Sequence, residues 1–184
     1  MAISFVQTLF LDRDGVLNRR IPDDYVRSIA QWEWLPNVLE ALAILSRKFE
    51  TIVLVSNQQG VGKGWFSQED LQTLTDFFLA EITQNGGRID KAYYCTHLKT
   101  DECTCRKPLI TMALQAQSDF PKIVFSQSLM LGDSLSDMQF GKNAGMKTVF
   151  IKTERTPDSA EMQWIDETYG SLWEFAVQYK NWEA

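Results

Sequence analysis

Two aspartates separated by one residue, Asp12 and Asp14, come directly after an apolar run that extends from Ser4 to Leu11. A strand that ends on a carboxylate delivers it to the carboxyl edge of a sheet, where open α/β folds bind ligands. One carboxylate at that edge can attack phosphorus while the second moves a proton. The alternative for the same residues is a polar strand end followed by an Asp-x-Asp-Gly turn, completed by Gly15.

Three further groups of polar residues follow predicted strands in the same way: Ser56-Asn57-Gln58 after 51–55, Arg106-Lys107 in the loop after 89–94, and Asp133-Ser134 after 128–131. Because the carboxyl ends of parallel strands share one edge of a sheet, we expect these residues to converge on Asp12 and Asp14. Ser56 and Lys107 would hold the transferring phosphoryl oxygens. Asp12, Asp14 and Asp133 are the predicted ligands of Mg²⁺, a cation that prefers oxygen ligands.

This arrangement predicts phosphoryl transfer. Asp12 would be the nucleophile, and Asp14 would protonate the leaving alcohol and later deprotonate water. Asp137 has two interpretations, as a member of the metal site or as an acid favoured by the dipole at the start of a helix. Ser56 and Asn57 have a structural alternative of their own, as a plain cap between a strand and a loop.

The elements that must position these residues alternate between strand and helix. Strands are predicted at 5–11, 51–55, 89–94, 128–131 and 147–151, and helices at 37–45, 67–85, 109–117 and 136–144. A short strand near Trp164 and a helix near 172–177 complete the pattern. Alternation of this kind predicts an α/β fold, a three-layer α/β/α doubly wound parallel sheet of the Rossmann-like type. The chain has no linker or repeat, so residues 1–184 are predicted to form a single domain.

Composition narrows the classes of partner. The 184 residues carry a formal net charge of −6, which argues against nucleic acid and anionic membranes as partners. The apolar run at the start is too short for a signal peptide, and no apolar run is long enough to span a membrane. We therefore expect a cytoplasmic monomer that acts on a small molecule.

A second metal site is predicted from the soft ligands. All three cysteines and the one histidine fall within eleven positions, as Cys95, His97, Cys103 and Cys105. A Cys₃His set is complete for tetrahedral Zn²⁺ and leaves no position for substrate, so its predicted role is structural. The alternative is three reduced thiols in a reducing compartment. Because the cluster ends one residue before Arg106, zinc would stabilise the loop that presents the two cations.

These motifs, in this order from Leu9 to about Val149, resemble the haloacid dehalogenase superfamily of aspartate-nucleophile phosphatases. The zinc-ligand pattern followed by Arg-Lys-Pro resembles a branch without a cap domain, whose members hydrolyse heptose bisphosphate or histidinol phosphate. The resemblance implies Mg²⁺ and Zn²⁺ as cofactors and a small phosphorylated sugar as substrate. Heptose bisphosphate is the closer match, and histidinol phosphate is the alternative. The sequence departs from the pattern at Ser134, where a cation is expected.

Five residues are predicted to contact the substrate: Arg13, Arg20, Asn57, Gln58 and Arg106. The flap, defined as residues 15–28, also contains Arg19 and Arg27. Its arginines are candidates for binding a second phosphate, or they belong to a solvated loop face. The glycine-rich stretch from Gly60 to Gly64 lacks the spacing of a nucleotide-binding loop. It predicts a flexible wall of the site, with Lys63 in solvent.

Two hypotheses from other functional classes are alternatives to the phosphatase hypothesis. A phospho-acceptor domain also carries aspartates and a lysine at strand ends, but it does not need Asp14 as an acid. A zinc-dependent binding module would show no turnover at all. The one histidine is assigned to zinc, which disfavours a Ser-His-Asp triad.

Overall fold

The computed structural model describes residues 8–152 and 155–179. Six parallel strands form one sheet: β1 Thr8–Leu11, β2 Thr51–Asn57, β3 Lys91–Cys95, β4 Ser128–Gly132, β5 Lys147–Ile151 and β6 Glu167–Tyr169. Their spatial order is β3-β2-β1-β4-β5-β6. The order reverses between β1 and β4, and this switch point is where doubly wound sheets bind ligands.

The helices connect the strands: α1 Val38–Lys48, α2 Gln59–Gly62, α3 Gln68–Gln84, α4 Thr111–Asp119, α5 Leu135–Asn143 and α6 Leu172–Gln178. Helix α3 begins with the predicted cap, because Ser67 and Asp70 exchange side-chain and backbone hydrogen bonds. None of the helices in the described parts of the chain is long and apolar enough to cross a membrane.

Alternate residues of each strand face opposite layers of helices. In β1, Leu9 and Leu11 pack into one buried cluster with α1, α3 and α6, whereas Phe10 packs into a second cluster with α4 and α5. All three side chains are completely buried. The three-layer α/β/α arrangement predicted from the sequence is therefore confirmed.

Strand register brings the polar strand ends to one level. Leu11 is paired with Leu54 of β2 and Leu131 of β4. The backbone amide of Asp12 continues this ladder, donating to the carbonyl of Leu131 at 3.0 Å. The residues that leave β1, β2 and β4 consequently emerge side by side at the switch point.

Several element boundaries differ from their predictions by a few residues: the helices expected at 37–45 and 109–117 are α1 and α4, and the strand expected at 89–94 is β3. The part of the first strand expected at 5–7 lies outside the described residues. The glycine-rich stretch was expected to be a loop, but α2 covers its first three residues. A Cβ atom at Gly60 would come within 2.3 Å of Phe66, and one at Gly62 within 2.4 Å of the Thr96 carbonyl, so these glycines permit close packing. The short strand expected near Trp164 begins at Glu167, after a 3₁₀ turn.

Candidate active site

The predicted catalytic side chains of Asp12, Asp14, Ser56 and Lys107 line one cavity of about 470 Å³ at the switch point. Asp133 lies beside them, with 5% of its surface exposed. Four chain segments that are far apart in the sequence therefore meet here, as the strand-end argument predicts.

Three buried carboxylates form an acidic cluster at the base of this site. Among the described residues, oxygens of Asp12, Asp133 and Asp137 lie within 4.8 Å of one another. Burial, and next the charge of Asp137, raises the pKa of Asp12. Burial, and next the charge of Asp12, raises the pKa of Asp133 to about 8. Crowded carboxylates of this kind fit a hard divalent cation, which replaces their mutual repulsion by attraction.

Lys107 supplies the positive charge within the cluster. Its Nζ lies 2.9 Å from Asp12 Oδ1 and 2.6 Å from Asp137 Oδ1, and it donates to the carbonyl of Val55 at 2.7 Å. Burial alone would lower the pKa of Lys107, but the charges of Asp12 and Asp137 outweigh it and raise that pKa. The ammonium is therefore fixed in its charged form beside the predicted nucleophile.

The side chain of Asp14 lies outside the acidic cluster, and its place among the magnesium ligands stays a prediction. Its Oδ1 accepts hydrogen bonds from Arg13 and Asn18, both at 2.9 Å, and its Oδ2 accepts one from Gln58 at 2.8 Å. Burial would raise the pKa of Asp14, but the Arg13 charge and these hydrogen bonds lower it. Its carboxylate oxygens are thus committed to donors, so any contact of Asp14 with a metal would come from its backbone carbonyl.

Two predicted substrate-binding residues, Asn57 and Gln58, make hydrogen bonds to the predicted catalytic residues. Asn57 and Lys107 are joined by reciprocal hydrogen bonds, since the Asn57 amide donates to the Lys107 carbonyl at 3.2 Å and accepts from the Lys107 backbone amide at 3.0 Å. Gln58 is completely buried, and its amide also donates to Ser56 Oγ at 3.0 Å. Asn57 still lines the cavity, but the contacts of Gln58 point to a supporting role.

The arginines near the flap are not equivalent. Arg13, predicted to contact the substrate, is completely buried and lies behind Asp14. Arg20 lines the cavity and donates to Asp133 Oδ1 at 2.7 Å. Arg19 is paired with Glu33, and Arg27 is paired with Asp24 of the flap, so each has an acidic partner in the loop face.

Ser134 occupies the position where the resemblance led us to expect a cation. It caps α5, donating to Asp137 Oδ2 at 2.5 Å while the Asp137 backbone amide points back to its hydroxyl. Asp137 therefore combines both of its predicted interpretations, as a helix-capping acid and as a member of the acidic cluster. A cation from a distant part of the sequence lies near Asp133 instead: the Arg155 guanidinium donates to the backbone carbonyl of Asp133 at 3.3 Å.

Further cavity residues were not identified from the sequence. Tyr25 lines the cavity together with Arg106. Lys63 and Lys99 complete this cationic wall. Lys63 is exposed and lies at the cavity wall, in agreement with its prediction as a solvated residue of a wall, and its amine is 4.1 Å from the ring centroid of Trp65.

Gly15 is required by the geometry of the site. Its φ is +86°, and a Cβ atom there would lie 1.9 Å from Oδ2 of Asp133. The glycine thus allows the chain to turn out of β1 while the Asp133 carboxylate approaches its backbone.

The four predicted zinc ligands come together beside the cavity. Their ligand atoms all lie within 4.8 Å of one another. Cys95 Sγ is 2.6 Å from Cys105 Sγ, 3.6 Å from Cys103 Sγ and 3.9 Å from His97 Nδ1, and His97 Nδ1 is 3.2 Å from Cys105 Sγ. Sulfur atoms bound to one tetrahedral zinc ion are about 3.8 Å apart. The Cys95–Cys103 separation is close to this value and the Cys95–Cys105 separation is shorter, so it is the Cys₃His donor set, gathered at one place, that fits the ion.

Comparisons with known proteins agree with this geometry. Residues 104–174 match the HAD-hydrolase-like family model. The chain is 37% identical over 169 residues to the D-glycero-alpha-D-manno-heptose-1,7-bisphosphate 7-phosphatase of Mycobacterium tuberculosis, covering 92% of this chain and 89% of that protein. It is 38% identical to the D-glycero-beta-D-manno-heptose-1,7-bisphosphate 7-phosphatase of Pasteurella multocida, covering 80% of this chain and 82% of that protein.

A solved structure gives the same result. The D,D-heptose 1,7-bisphosphate phosphatase from B. bronchiseptica, complexed with magnesium and phosphate, superposes with a TM-score of 0.82. The two chains are 29% identical, and the match covers 94% of this chain and 97% of the other. The protein therefore belongs to the HAD-like hydrolases, in the group of the heptose-1,7-bisphosphate phosphatases.

Proposed function

We propose that this protein removes the 7-phosphate from D-glycero-D-manno-heptose 1,7-bisphosphate, using Mg²⁺ and an aspartyl-phosphate intermediate. The observation that carries the proposal is the pairing of Asp12 with Lys107 at the edge of an acidic cluster that opens onto a cavity. The names of the relatives support the substrate, since they all act on heptose 1,7-bisphosphate.

In the first step, a carboxylate oxygen of Asp12 attacks phosphorus and the bond to the sugar oxygen breaks. Lys107 and the Ser56 hydroxyl hold the phosphoryl oxygens, and Asp14 gives a proton to the leaving alcohol. In the second step, Asp14 takes a proton from a water molecule whose oxygen bonds to phosphorus, while the bond between phosphorus and the Asp12 oxygen breaks and inorganic phosphate leaves. Its lowered pKa favours the ionised form needed there. The negative charge of an arriving phosphate favours the protonated form needed first.

Two metal ions accompany this proposal. Asp12 and Asp133, with Asp137 beside them, would hold Mg²⁺, which would offset the repulsion between the nucleophile and the phosphate and polarise the phosphoryl group. Cys95 and the three other soft ligands would hold Zn²⁺ as a structural ion. The ligand cluster ends next to Arg106, so its contribution is to fix the loop that carries Arg106 and Lys107.

The charge of the cavity supports a substrate with two phosphates. Arg20, Lys63, Lys99 and Arg106 line it in addition to Lys107, and a second phosphate would need such cations. Histidinol phosphate is a second candidate, because Asp23 and Asp24 also line the cavity. Carboxylates there would suit the ammonium group of that compound.

The test is phosphate release in the presence of Mg²⁺ from both anomers of the heptose bisphosphate and from histidinol phosphate. We expect the wild-type protein to prefer a heptose bisphosphate, to leave the 1-phosphate in the product, and to lose turnover in Asp12→Asn. A preference for histidinol phosphate would replace the proposed substrate. Equal background rates for wild type and Asp12→Asn would refute the proposal.

A further inference from the structure

Arg13 is the largest side chain that is completely buried in the described part of the protein. Its Nη2 donates to Asp14 Oδ1 at 2.9 Å. Its Nε and Nη1 have no hydrogen-bond partner among the described residues, and its guanidinium carbon lies 5.9 Å from the ring centroid of Trp32. Burying a guanidinium with two unpaired nitrogens costs stability. Arg13 also lies close to the Tyr94 hydroxyl, and Asp14 is its acidic partner. The contact with Asp14 is therefore the one that can offset the burial of its charge.

The donors around Asp14 are arranged on its buried side. Arg13, Asn18 and Gln58 are each completely buried, whereas the Asp14 side chain is 16% exposed and lines the cavity. Arg13 and Asn18 hold one carboxylate oxygen and Gln58 holds the other. A carboxylate held by both oxygens cannot rotate about its terminal bond without losing hydrogen bonds, so its orientation toward the cavity is fixed.

The same set of contacts links the acid to the phosphoryl-binding group. The amide of Gln58 donates to Asp14 Oδ2 at 2.8 Å and to Ser56 Oγ at 3.0 Å. The proposed proton donor and one proposed holder of the phosphoryl oxygens consequently keep a constant separation. Proton transfer to a leaving group requires heavy atoms within about 3 Å of each other. A fixed separation of Asp14 and Ser56 keeps the proton donor at that distance from the leaving oxygen of a bound phosphate ester.

We propose that Arg13, together with Asn18 and Gln58, forms a buried cradle that orients Asp14 as the proton donor to the leaving alcohol. The proposal rests on the proposed function, in which Asp14 has the role of the acid. Arg13 is then a positioning residue, and it makes no contact with the substrate. Its guanidinium is completely buried and contacts the carboxylate that it orients.

The experiment compares two leaving groups in the Arg13→Met variant. An alkyl phosphate such as 2-glycerophosphate has a leaving alcohol that needs a proton, whereas 4-nitrophenyl phosphate releases a stable phenolate that does not. We expect the rate of alcohol release in a single turnover of Arg13→Met to fall about 100-fold on the alkyl phosphate, within the range for loss of a general acid, and to change less than about 3-fold on the aryl phosphate. The first step is measured because the second step, in which Asp14 acts as the base, is the same for both substrates. Asp14→Asn should show the same pattern, and Arg13→Lys should recover part of the alkyl rate.

Control variants keep the result interpretable. Arg88→Met removes another structural arginine, which donates to the carbonyls of Ser46, Phe49 and Glu50. It should lower the unfolding temperature without changing the ratio of alkyl to aryl rates. If Arg13→Met fails to fold, Gln58→Met removes the donor to the other Asp14 oxygen and should lower the same ratio.

The contrary results are equally specific. Equal losses on both substrates in the folded Arg13 or Gln58 variants would overturn the proposal, since a disturbed nucleophile affects all substrates. A higher KM with unchanged kcat would also overturn it, because that result identifies Arg13 as a substrate ligand. The ratio is measured on generic phosphates, so it is decided even if the heptose bisphosphate is not a substrate.

Discussion

Replacing Lys107 by methionine removes the positive charge that lies between Asp12 and Asp137. The Nζ atom is 2.9 Å from one carboxylate and 2.6 Å from the other, and it also donates to the carbonyl of Val55 at 2.7 Å. Methionine has a similar length and fills the same volume, so the change removes the charge and its three contacts while leaving the packing nearly intact.

The magnitude follows from these distances. At an effective dielectric constant of about 20, each of the two charge pairs is worth about 6 kcal/mol of gross attraction. Desolvation of the buried ammonium offsets much of this, and breaking a buried pair typically costs about 3–5 kcal/mol of unfolding free energy. Activity should fall about 10²- to 10³-fold, because the phosphoryl oxygens lose a preorganised cation.

The loss of stability should depend on pH with a definite sign. Without Lys107, the pKa of Asp12 rises further above the unfolded value of about 4, because the Lys107 charge no longer opposes the effect of burial. The folded variant then holds an extra proton at low pH and loses stability as the pH rises through the raised pKa. The deficit relative to wild type should therefore be about 1–2 kcal/mol larger at pH 8 than at pH 5.

Urea unfolding in magnesium-free buffer at these two pH values measures both quantities. Lys122→Met is the matched control, because that exposed lysine pairs with Glu50 at the surface and its loss should leave the unfolding free energy unchanged within error. A deficit below about 1 kcal/mol, or one that is the same at both pH values, would refute the account of Lys107 as the counter-charge of the cluster.

Three further predictions concern the metal sites. Gly15→Ala should lower the Mg²⁺ affinity measured by calorimetry at least about tenfold. The added methyl group displaces Asp133, and the positive φ adds about 1–2 kcal/mol of strain. An unchanged affinity would contradict the close approach of Asp133 to Gly15. The Mg²⁺ affinity of the wild type should rise between pH 6 and pH 8 with release of a proton, since burial raises the pKa of Asp133 to about 8; pH-independent binding would count against this. Cys103→Ser should contain one equivalent of zinc less than the wild type by elemental analysis, and it should unfold at a lower temperature. Its kcat should fall about 10- to 100-fold, because Lys107 is misplaced. A zinc-free protein with the stability and kcat of the wild type would rule out the structural role.

The positions of the strand-end residues of the site were predictable, because all strands of a parallel sheet end at the same edge. Once Asp12, Ser56 and Asp133 were placed at the ends of strands, the topology itself required them to meet. The Cys/His cluster was predictable for another reason, since its four soft side chains are close in the sequence and have few alternative arrangements.

The direction in which a side chain points was not available from the sequence. Arg13 and Asp14 are neighbours in a turn, and only the packing of Trp32 and the flap determines that Arg13 is buried behind the acid. The sequence likewise identified Asp14 as an acid, but it could not show that the Asp14 side chain lies apart from the carboxylates of Asp12, Asp133 and Asp137. The close packing of Gly62 against the Thr96 carbonyl was also not predictable, because the two segments are far apart in the sequence.

The central claim is that Asp12 is the nucleophile of a phosphatase, and trapping its phosphorylated form tests it most directly. Protein mixed with substrate and Mg²⁺ in a single turnover would be quenched with borohydride, which reduces an aspartyl phosphate to homoserine, and then digested for mass spectrometry. The account predicts homoserine at position 12 in the wild type and in no other position. Reduction at a different residue, or none while phosphate is released at the normal rate, would contradict it.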